Sequence, residues 1–481
     1  MDWRPNREDK KPIYKQIADY IELGITLGDF PAGSKLPSER QLADELEVNR
    51  STVVAAYDEL GAAGMVSRIK GSGTLVSADI WGISHKRIPN WGRYVEYGSF
   101  LPNLPLVQLI RKETQEETNR INLSSGELSP DLFPKKEIQT ILAQIPFEAH
   151  LGYDHPQGNW QLRETITDHL KQTKQIETDP ESILITSGAQ QALHLIVECL
   201  LKPGDAVAIE DPSYFYSLPI FKSAGLRTFL LPVDKDGINP EDILDLHKKH
   251  RIRMVFVNPT YQNPTGTVLS LSRRKRLLEL SSELGLPIIE DDPYSLTSFD
   301  GKLIPTLKSM DQNGTVLYIS SLTKIVASGL RIGWVIGPKR VMERLADAKQ
   351  QFDFGHSIFP QWVAYNFLQS PEFLLHIQNL QEQLKLRCDQ LMDNLKLKAG
   401  HEVDFLAPEG GIHLWCRIHN EEINEKRLLE ESLKNGVAYL PGSVMGSKKN
   451  TIRFTFGRGN LPDLTKGIER FTHALKSIRQ D

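Results

Sequence analysis

Cysteine is scarce. The chain of 481 residues has three, Cys199, Cys388 and Cys416, far apart and without the spacing of a metal site or a disulfide framework. They are expected to be reduced residues of a cytoplasmic protein. Long apolar runs are missing too. Stretches such as Ala206–Ile209 and Val316–Ile319 are strand-sized, far short of a membrane span. The start, Met1-Asp2-Trp3-Arg4-Pro5, is charged and no apolar core follows, so no signal peptide is expected. A basic excess is also lacking. The net charge is −4, and residues 1–79 hold about as many acids as bases. Any nucleic-acid binding must therefore come from a local basic surface, because phosphate neutralisation supplies most non-specific affinity. No internal repeat or low-complexity tract occurs.

What is present divides in three. Residues 11–79 read as a small helical unit. Residues 80–118 hold Trp81, Pro89, Trp91, Gly92, Gly98, Pro102 and Pro105 without sustained periodicity, as in a linker. Residues 119–481 alternate apolar, strand-like runs with helical stretches: Ile183–Thr186, Ala206–Ile209, Met254–Val257, Pro287–Glu290 and Val316–Ser320. That alternation predicts an α/β domain with a mainly parallel sheet. Ile412–Cys416 and Thr451–Phe456 predict a smaller C-terminal α+β lobe.

In the first segment, Ile13, Ile17 and Ile21 recur every fourth residue, as on one buried helix face. Pro37-Ser38 opens a second helix, with Ser38 as its cap. Asn49-Arg50-Ser51-Thr52 opens a third, with Val53, Val54, Tyr57 and Leu60 at core spacing. Lys70-Gly71-Ser72-Gly73-Thr74 predicts a tight hairpin with a basic tip. This is the layout of a winged helix-turn-helix, in which the start of the third helix faces the major groove. Arg50 suits a guanine or a phosphate. Arg40 on the second helix and Lys70 with the bare backbone of Gly71 suit the sugar-phosphate chain. A three-helix protein-interaction module with a solvated polar face is the other reading of the pattern. Residues 11–79 resemble the DNA-binding domain of the GntR regulators through Pro12-Ile13-Tyr14, Gly33-Ser34-Lys35-Leu36-Pro37-Ser38-Glu39-Arg40, Val48-Asn49-Arg50-Ser51-Thr52-Val53 and the 70–74 wing. The resemblance places DNA contacts at Arg40, at Asn49, Arg50, Ser51 and Thr52, and at Lys70, Gly71 and Ser72. Asn49 stands where a small hydroxyl residue is often found.

In the large segment, Ser320-Ser321-Leu322-Thr323-Lys324 closes an apolar strand, and Arg331 follows. A lysine that forms an imine with an aldehyde cofactor also needs partners for that cofactor's phosphate. The Ser321 hydroxyl and the Arg331 fork suit this role. Thr186-Ser187-Gly188-Ala189, between a strand and a helix, offers free N–H groups to an anion. Asp291, at the end of an apolar run, could keep a pyridine nitrogen protonated, and Tyr294 could donate to a phenolic oxygen. Read alone, Asp291 and Tyr294 fit a helix N-cap carboxylate and a packed tyrosine better than a cofactor site. Asn263 could reach the same oxygen, and Tyr214 could stack on the ring.

The ordered set Ser187-Gly188, Tyr214, Asn263-Pro264-Thr265-Gly266, Asp291…Tyr294, Ser321…Lys324…Arg331 and Arg453 resembles a fold-type I aminotransferase, close to the aspartate and kynurenine group. The resemblance implies pyridoxal 5'-phosphate as cofactor, with Lys324 as the catalytic Schiff-base lysine and Asp291 as the pyridinium partner. It puts Asn263 and Tyr294 at the phenolic oxygen, and Ser187, Ala189, Ser321 and Arg331 at the phosphate. Arg453 would grip a substrate α-carboxylate beside Gly126, and Tyr153 would reach the neighbouring subunit's phosphate in a dimer. No metal is implied. The whole chain resembles the MocR/GabR branch of the GntR family. That implies a PLP-dependent transcription regulator, a head-to-tail homodimer that binds operator DNA and senses an amine or amino-acid effector through the cofactor's aldimine. Two alternatives stay open: a working aminotransferase with an accessory DNA-binding domain, and a DNA-binding protein whose large domain is a cofactor-free dimerisation scaffold.

Overall fold

The computed structural model describes residues 3–7, 9–69, 73–77, 98–116, 119–147, 151–420, 422–447 and 450–480. Contacts divide the chain into two units, Met1–Ser99 and Phe100–Asp481.

The first unit holds α1 (Ile13–Leu27), α2 (Glu39–Leu46), α3 (Arg50–Ala62), β1 (Val66–Ile69) and β2 (Gly73–Val76). The four-residue period of α1 buries Ile17, Ile21 and Ile25. Ser38 caps α2 as expected: its hydroxyl accepts the Gln41 N–H, and the Gln41 side chain accepts the Ser38 N–H, a reciprocal capping box. Val53, Ala56, Tyr57 and Leu60 turn α3 onto the core, while Val54 is only half-buried. The Tyr57 hydroxyl donates to the Pro37 carbonyl at 2.7 Å, tying α3 to the start of α2. β1 and β2 pair antiparallel, with Ile69 opposite Gly73. The unit is a winged helix. The wing residues Lys70, Gly71 and Ser72 lie outside the described residues.

The second unit opens with a helix that its prolines do not announce. Pro105–Glu116 forms α4. Proline at a helix's first position lacks only an N–H that has no intrahelical partner there. Ile110 is buried in the main core, with Leu106 and Leu109 against it. This part of the 80–118 stretch thus belongs to the large unit. Much of the remainder of that stretch lies outside the described residues.

The strands of the large unit are β3 (Ile121–Asn122), β4 (Ile183–Thr186), β5 (Ala206–Asp211), β6 (Arg227–Asp234), β7 (Gly237–Ile238), β8 (Met254–Val257), β9 (Ile288–Asp291), β10 (Val316–Ser321), β11 (Gly333–Ile336), β12 (Val403–Phe405), β13 (His413–Ile418), β14 (Val437–Ala438), β15 (Leu440–Pro441) and β16 (Thr451–Thr455). The main sheet runs β4-β11-β10-β9-β8-β5-β6-β7. Its central pairs are parallel. β11 runs antiparallel to both neighbours, and β7 is an antiparallel edge. β4, β8, β9, β10 and β11 are buried throughout, which explains their continuous apolar runs. Leu317 and Ile319 pack on one face of β10, and Tyr318 belongs to the core on the other. β12, β13, β16 and β15 make the smaller antiparallel sheet of the C-terminal lobe. Among the described residues, no helix is long and apolar enough to cross a membrane.

Candidate functional site

Five parallel strands of the main sheet deliver their chemistry at their carboxyl ends, where open α/β sheets bind ligands. β4 leads to Gly188, β5 to Tyr214, β8 to Asn258 and Asn263, β9 ends on Asp291, and β10 leads to Lys324. A cavity of about 480 Å³ lies there. Its walls include Lys324, Asp291, Tyr294, Asn263 and Tyr214. They also include Gly188, Ala189, Ser321 and Arg331, and Arg453 and Gly126 from the smaller lobe's side.

Lys324 is enclosed, and its ammonium donates to the Gly126 carbonyl. Burial, and then the Arg453 charge, pull its pKa down to about 8. A lysine so placed keeps a share of neutral, nucleophilic amine near neutral pH. Asp291 is 5% exposed. Its Oδ1 is buried with no hydrogen-bond partner among the described residues. Burial, reinforced by neighbouring Asp292 and opposed by Lys324, raises its pKa to about 7. A buried carboxylate oxygen aimed at a cavity without a donor is the feature a protonated ring nitrogen would satisfy.

The anion cradle is equally explicit. Gly188 has φ +81°, and a Cβ there would sit 3.0 Å from Arg331 Nη2. It stands at the N-cap of helix Ala189–Leu200, with no side-chain cap hydrogen bond. The first N–H groups of that helix and the Arg331 fork therefore converge on one spot, as phosphate requires. Ser187 is not among the cavity walls. Its N–H donates to Gln191 Oε1 and its carbonyl accepts from Arg331 Nη2, both at 2.7 Å. The segment so holds Arg331 in place.

Arg453 is buried, which pulls its pKa down to about 10 and leaves it charged at neutral pH. Nη1 donates to Asn263 Oδ1 at 2.8 Å and Nη2 to the Ser124 carbonyl at 2.5 Å, while Nε has no partner among the described residues. The Asn263 backbone carbonyl also accepts the Tyr214 N–H at 2.9 Å. The Tyr214 hydroxyl accepts from Gln190 at 2.9 Å. Tyr153 is 85% exposed and is not a wall of this cavity; its ring lies 5.9 Å from Phe354.

One residue of the site has no counterpart in the sequence reading. His413, at the start of β13, is buried with Nε2 at 3.1 Å from the Tyr294 hydroxyl and Nδ1 at 3.0 Å from Thr455 Oγ1. Burial, then the Arg453 and Lys324 charges, keep it well below the ordinary histidine range and neutral. Its only sequence signal is a histidine in the apolar run Ile412–Cys416. The donor set, cradle and lone carboxylate oxygen together fit pyridoxal phosphate.

In the first unit, Arg40, Asn49, Arg50 and Ser51 are exposed and Thr52 is half-buried. Asn49 is the N-cap of α3 but makes no side-chain cap bond. Arg50 Nη2 meets Glu39 Oε2 at 2.8 Å, and Arg68 Nη2 meets Glu39 Oε1 at 3.2 Å.

Residues 118–471 match the family of class I and II aminotransferases, and residues 13–76 match the gntR family of bacterial regulatory proteins. The chain is 40% identical over 479 residues to the uncharacterized HTH-type transcriptional regulator YisV of Bacillus subtilis, covering 99% of this chain and 98% of that one. It is 38% identical over 473 residues to a second, YdfD, from the same organism, covering 98% and 97%. Among solved structures, kynurenine aminotransferase of Pyrococcus horikoshii superposes with a TM-score of 0.75 at 31% identity, over 81% of this chain and 99% of that one.

Proposed function

Because the chain belongs to the class I and II aminotransferases and, through its N-terminal unit, to the gntR family of bacterial regulatory proteins, we propose that it is a pyridoxal-phosphate-dependent transcription regulator. The carrying observation is that Lys324, Asp291 and Arg453 line one cavity in a chain that also bears a winged helix. Lys324 would hold the cofactor's aldehyde carbon, Asp291 its ring nitrogen, Asn263 and Tyr294 its phenolic oxygen. Ala189, Ser321 and Arg331 would hold its phosphate. When bound, the cofactor supplies an electrophilic carbon that a primary amine can take over from Lys324. The chain's own residues do the discriminating. Arg453 orients a carboxylate by its guanidinium, Gly126 keeps that wall thin, and Tyr214 closes the ring's face. The effector is therefore an amine, and an amino acid where Arg453 is used.

Coupling to DNA has a physical route. Asn103 and Val107, at the end of the connecting stretch and in α4, are walls of the same cavity. An effector that fills it presses on the segment that leads back to the winged helix. A tenfold preference for one of two states is worth ~1.4 kcal/mol. The same reading makes the protein a cytoplasmic, head-to-tail homodimer. Exposed Tyr153, Phe352 and Phe354 support a subunit contact near the cradle.

The test is a spectral titration of the full chain incubated with pyridoxal phosphate. A near-visible band should form, vanish in Lys324→Ala, and shift with amino acids. Arg453→Ala should blunt the response to amino acids more than to simple amines. Operator affinity, read by anisotropy, should change with the same effectors. A colourless protein would leave only a scaffold joined to a DNA-binding unit. A working aminotransferase is the second reading, favoured by the completeness of the cavity's residue set. Multiple turnovers with an amino donor and a 2-oxoacid, independent of DNA, would establish it.

A further inference from the structure

We propose that His413 is a positioning residue: with Thr455 behind it, it aims the Tyr294 hydroxyl proton into the cavity, toward the cofactor's phenolic oxygen. The inference rests on the reading that this cavity holds pyridoxal phosphate.

A neutral imidazole has one donor and one acceptor. His413 meets Thr455 through Nδ1 and Tyr294 through Nε2, so the two neighbours cannot both accept from it. Consider first Nδ1–H donating to Thr455. Tyr294 would then spend its proton on Nε2. The buried Thr455 hydroxyl proton would have no acceptor among the described residues, and leaving a buried donor unmet is destabilising. Now reverse the chain. Thr455 donates to Nδ1, Nε2–H donates to the Tyr294 oxygen, and the one proton left over is that of Tyr294, which unlike Thr455 lines the cavity. Asn263 works in the same direction. Its Oδ1 is taken by Arg453, which leaves only amide N–H groups to face Tyr294 beside it. With the Nε2–H of His413 on its oxygen, Tyr294 has one course left for its own proton: the cavity, of which it is a wall.

The fold builds this arrangement directly. His413 and Thr455 are register partners of β13 and β16, so their side chains stand side by side on one face of the small sheet. Arg453, two residues before Thr455 on the same strand, stands on that face too. Tyr294 comes from the turn after β9. The charged and titratable groups around the chain are Arg453, Lys324, Asp291 and Tyr214. His413 itself is not among the cavity's walls, so it acts through Tyr294.

A donor on the phenolic oxygen weakens that oxygen's hold on the proton it shares with the lysine-linked nitrogen. The readout is the pH midpoint of the near-visible band of the full-length protein with pyridoxal phosphate. Tyr294→Phe should raise the band's proton affinity by about tenfold, and His413→Phe and Thr455→Val should raise it by roughly three- to tenfold. His413→Gln, whose amide N–H can replace Nε2–H, should stay within about twofold of the parent. Tyr294→Phe combined with His413→Phe should shift no further than Tyr294→Phe alone. A midpoint unmoved in both His413→Phe and Thr455→Val, while Tyr294→Phe moves it, overturns the proposal. So does a double variant that adds the His413 increment in full. If His413→Phe does not fold, Thr455→Val and His413→Gln decide between the same outcomes. A parent protein with no band overturns the cofactor reading itself, and the proposal with it.

Discussion

Asp291 and Asp292, consecutive at the end of β9, are both buried, yet among the described residues only Asp292 has a cation bonded to it. Lys174 Nζ lies 2.7 Å from Asp292 Oδ2, and the Ser295 and Tyr318 hydroxyls donate to the same oxygen at 2.7 Å. Burial would raise Asp292, but Lys174 and these hydrogen bonds hold it below the ordinary carboxylate range. Asp291 Oδ1 has no such partner among the described residues, and its pKa is raised to about 7. One carboxylate is tied into the interior and the other lines the cavity with a bare oxygen.

That asymmetry predicts opposite mutational outcomes. Asp292→Ala strands the Lys174 ammonium, 4% exposed, in the interior. Breaking a buried pair from one side costs ~3–5 kcal/mol, so the unfolding transition of the large unit should move by that order. Asp291→Asn removes an unpaired buried acid and should cost the cofactor-free protein little, while weakening cofactor binding. Denaturant titration with and without pyridoxal phosphate separates the two. Equal losses in both variants would contradict the assignment.

The pH dependence follows from the same carboxyl group. In the cofactor-free protein the folded pKa of Asp291 is about 7, above its unfolded value. A raised acid favours the folded state fully below the ordinary carboxylate range, and that contribution is lost as pH rises toward 7. Glu210 and Glu290, each raised to about 7 mainly by burial, act with the same sign. Asp291→Asn should therefore be more stable than the parent at pH 8 and show no such gain at pH 4. Parallel denaturant curves at the two pH values check this.

Gly188 is the position where the backbone and the proposed anion cradle make the same demand. Its φ of +81° with ψ 171° belongs to a region that is essentially glycine's alone. Gly188→Ala should cost ~1–3 kcal/mol of stability and press a methyl group toward Arg331. Cofactor affinity, measured by absorbance titration, should fall more than tenfold (above ~1.4 kcal/mol). Free phosphate should lose its protection against thermal unfolding. Retained phosphate protection would place the anion elsewhere.

Much of this was legible because the chemistry sits at strand ends, where an apolar run stops and polar residues begin. Asp291 after Ile288-Ile289-Glu290, and Lys324 after Val316–Ser321, carry their position in their neighbours. α4 was hidden because Pro102 and Pro105 signal a break, yet Pro105 stands at the one helical turn that tolerates it. β11, antiparallel within an otherwise parallel core, is a four-residue run that no local pattern separates from a loop. His413 was illegible for a different reason. Its partners are 119 and 42 residues away, and only the pairing of β13 with β16 brings them together. In the winged helix the basic residues were visible, but not that one acid holds two of them.

That acid is Glu39, whose carboxylate bridges Arg50 at 2.8 Å and Arg68 at 3.2 Å. Arg68 is also shared with Asp58 at 2.8 Å. The Arg50 side chain remains 70% exposed, so the pair is a surface one, worth ~0–1 kcal/mol to folding. Its consequence lies in binding. Arg50 stands at the start of α3, the position that enters the major groove in this fold. Glu39 holds the guanidinium in place but also repels phosphate. Glu39→Gln should therefore strengthen binding to random-sequence DNA by several-fold and steepen its salt dependence, since a freed arginine can neutralise a further phosphate. Discrimination between operator and random DNA should fall, because Arg50 is no longer aimed. Arg50→Ala should weaken operator binding and, if the side chain reads a base, cost ~1–3 kcal/mol of discrimination. Anisotropy titrations across a salt series report both quantities. If Glu39→Gln and Arg50→Ala both leave affinity and salt slope unchanged, the start of α3 does not face the groove, and the docking inferred for this winged helix is wrong.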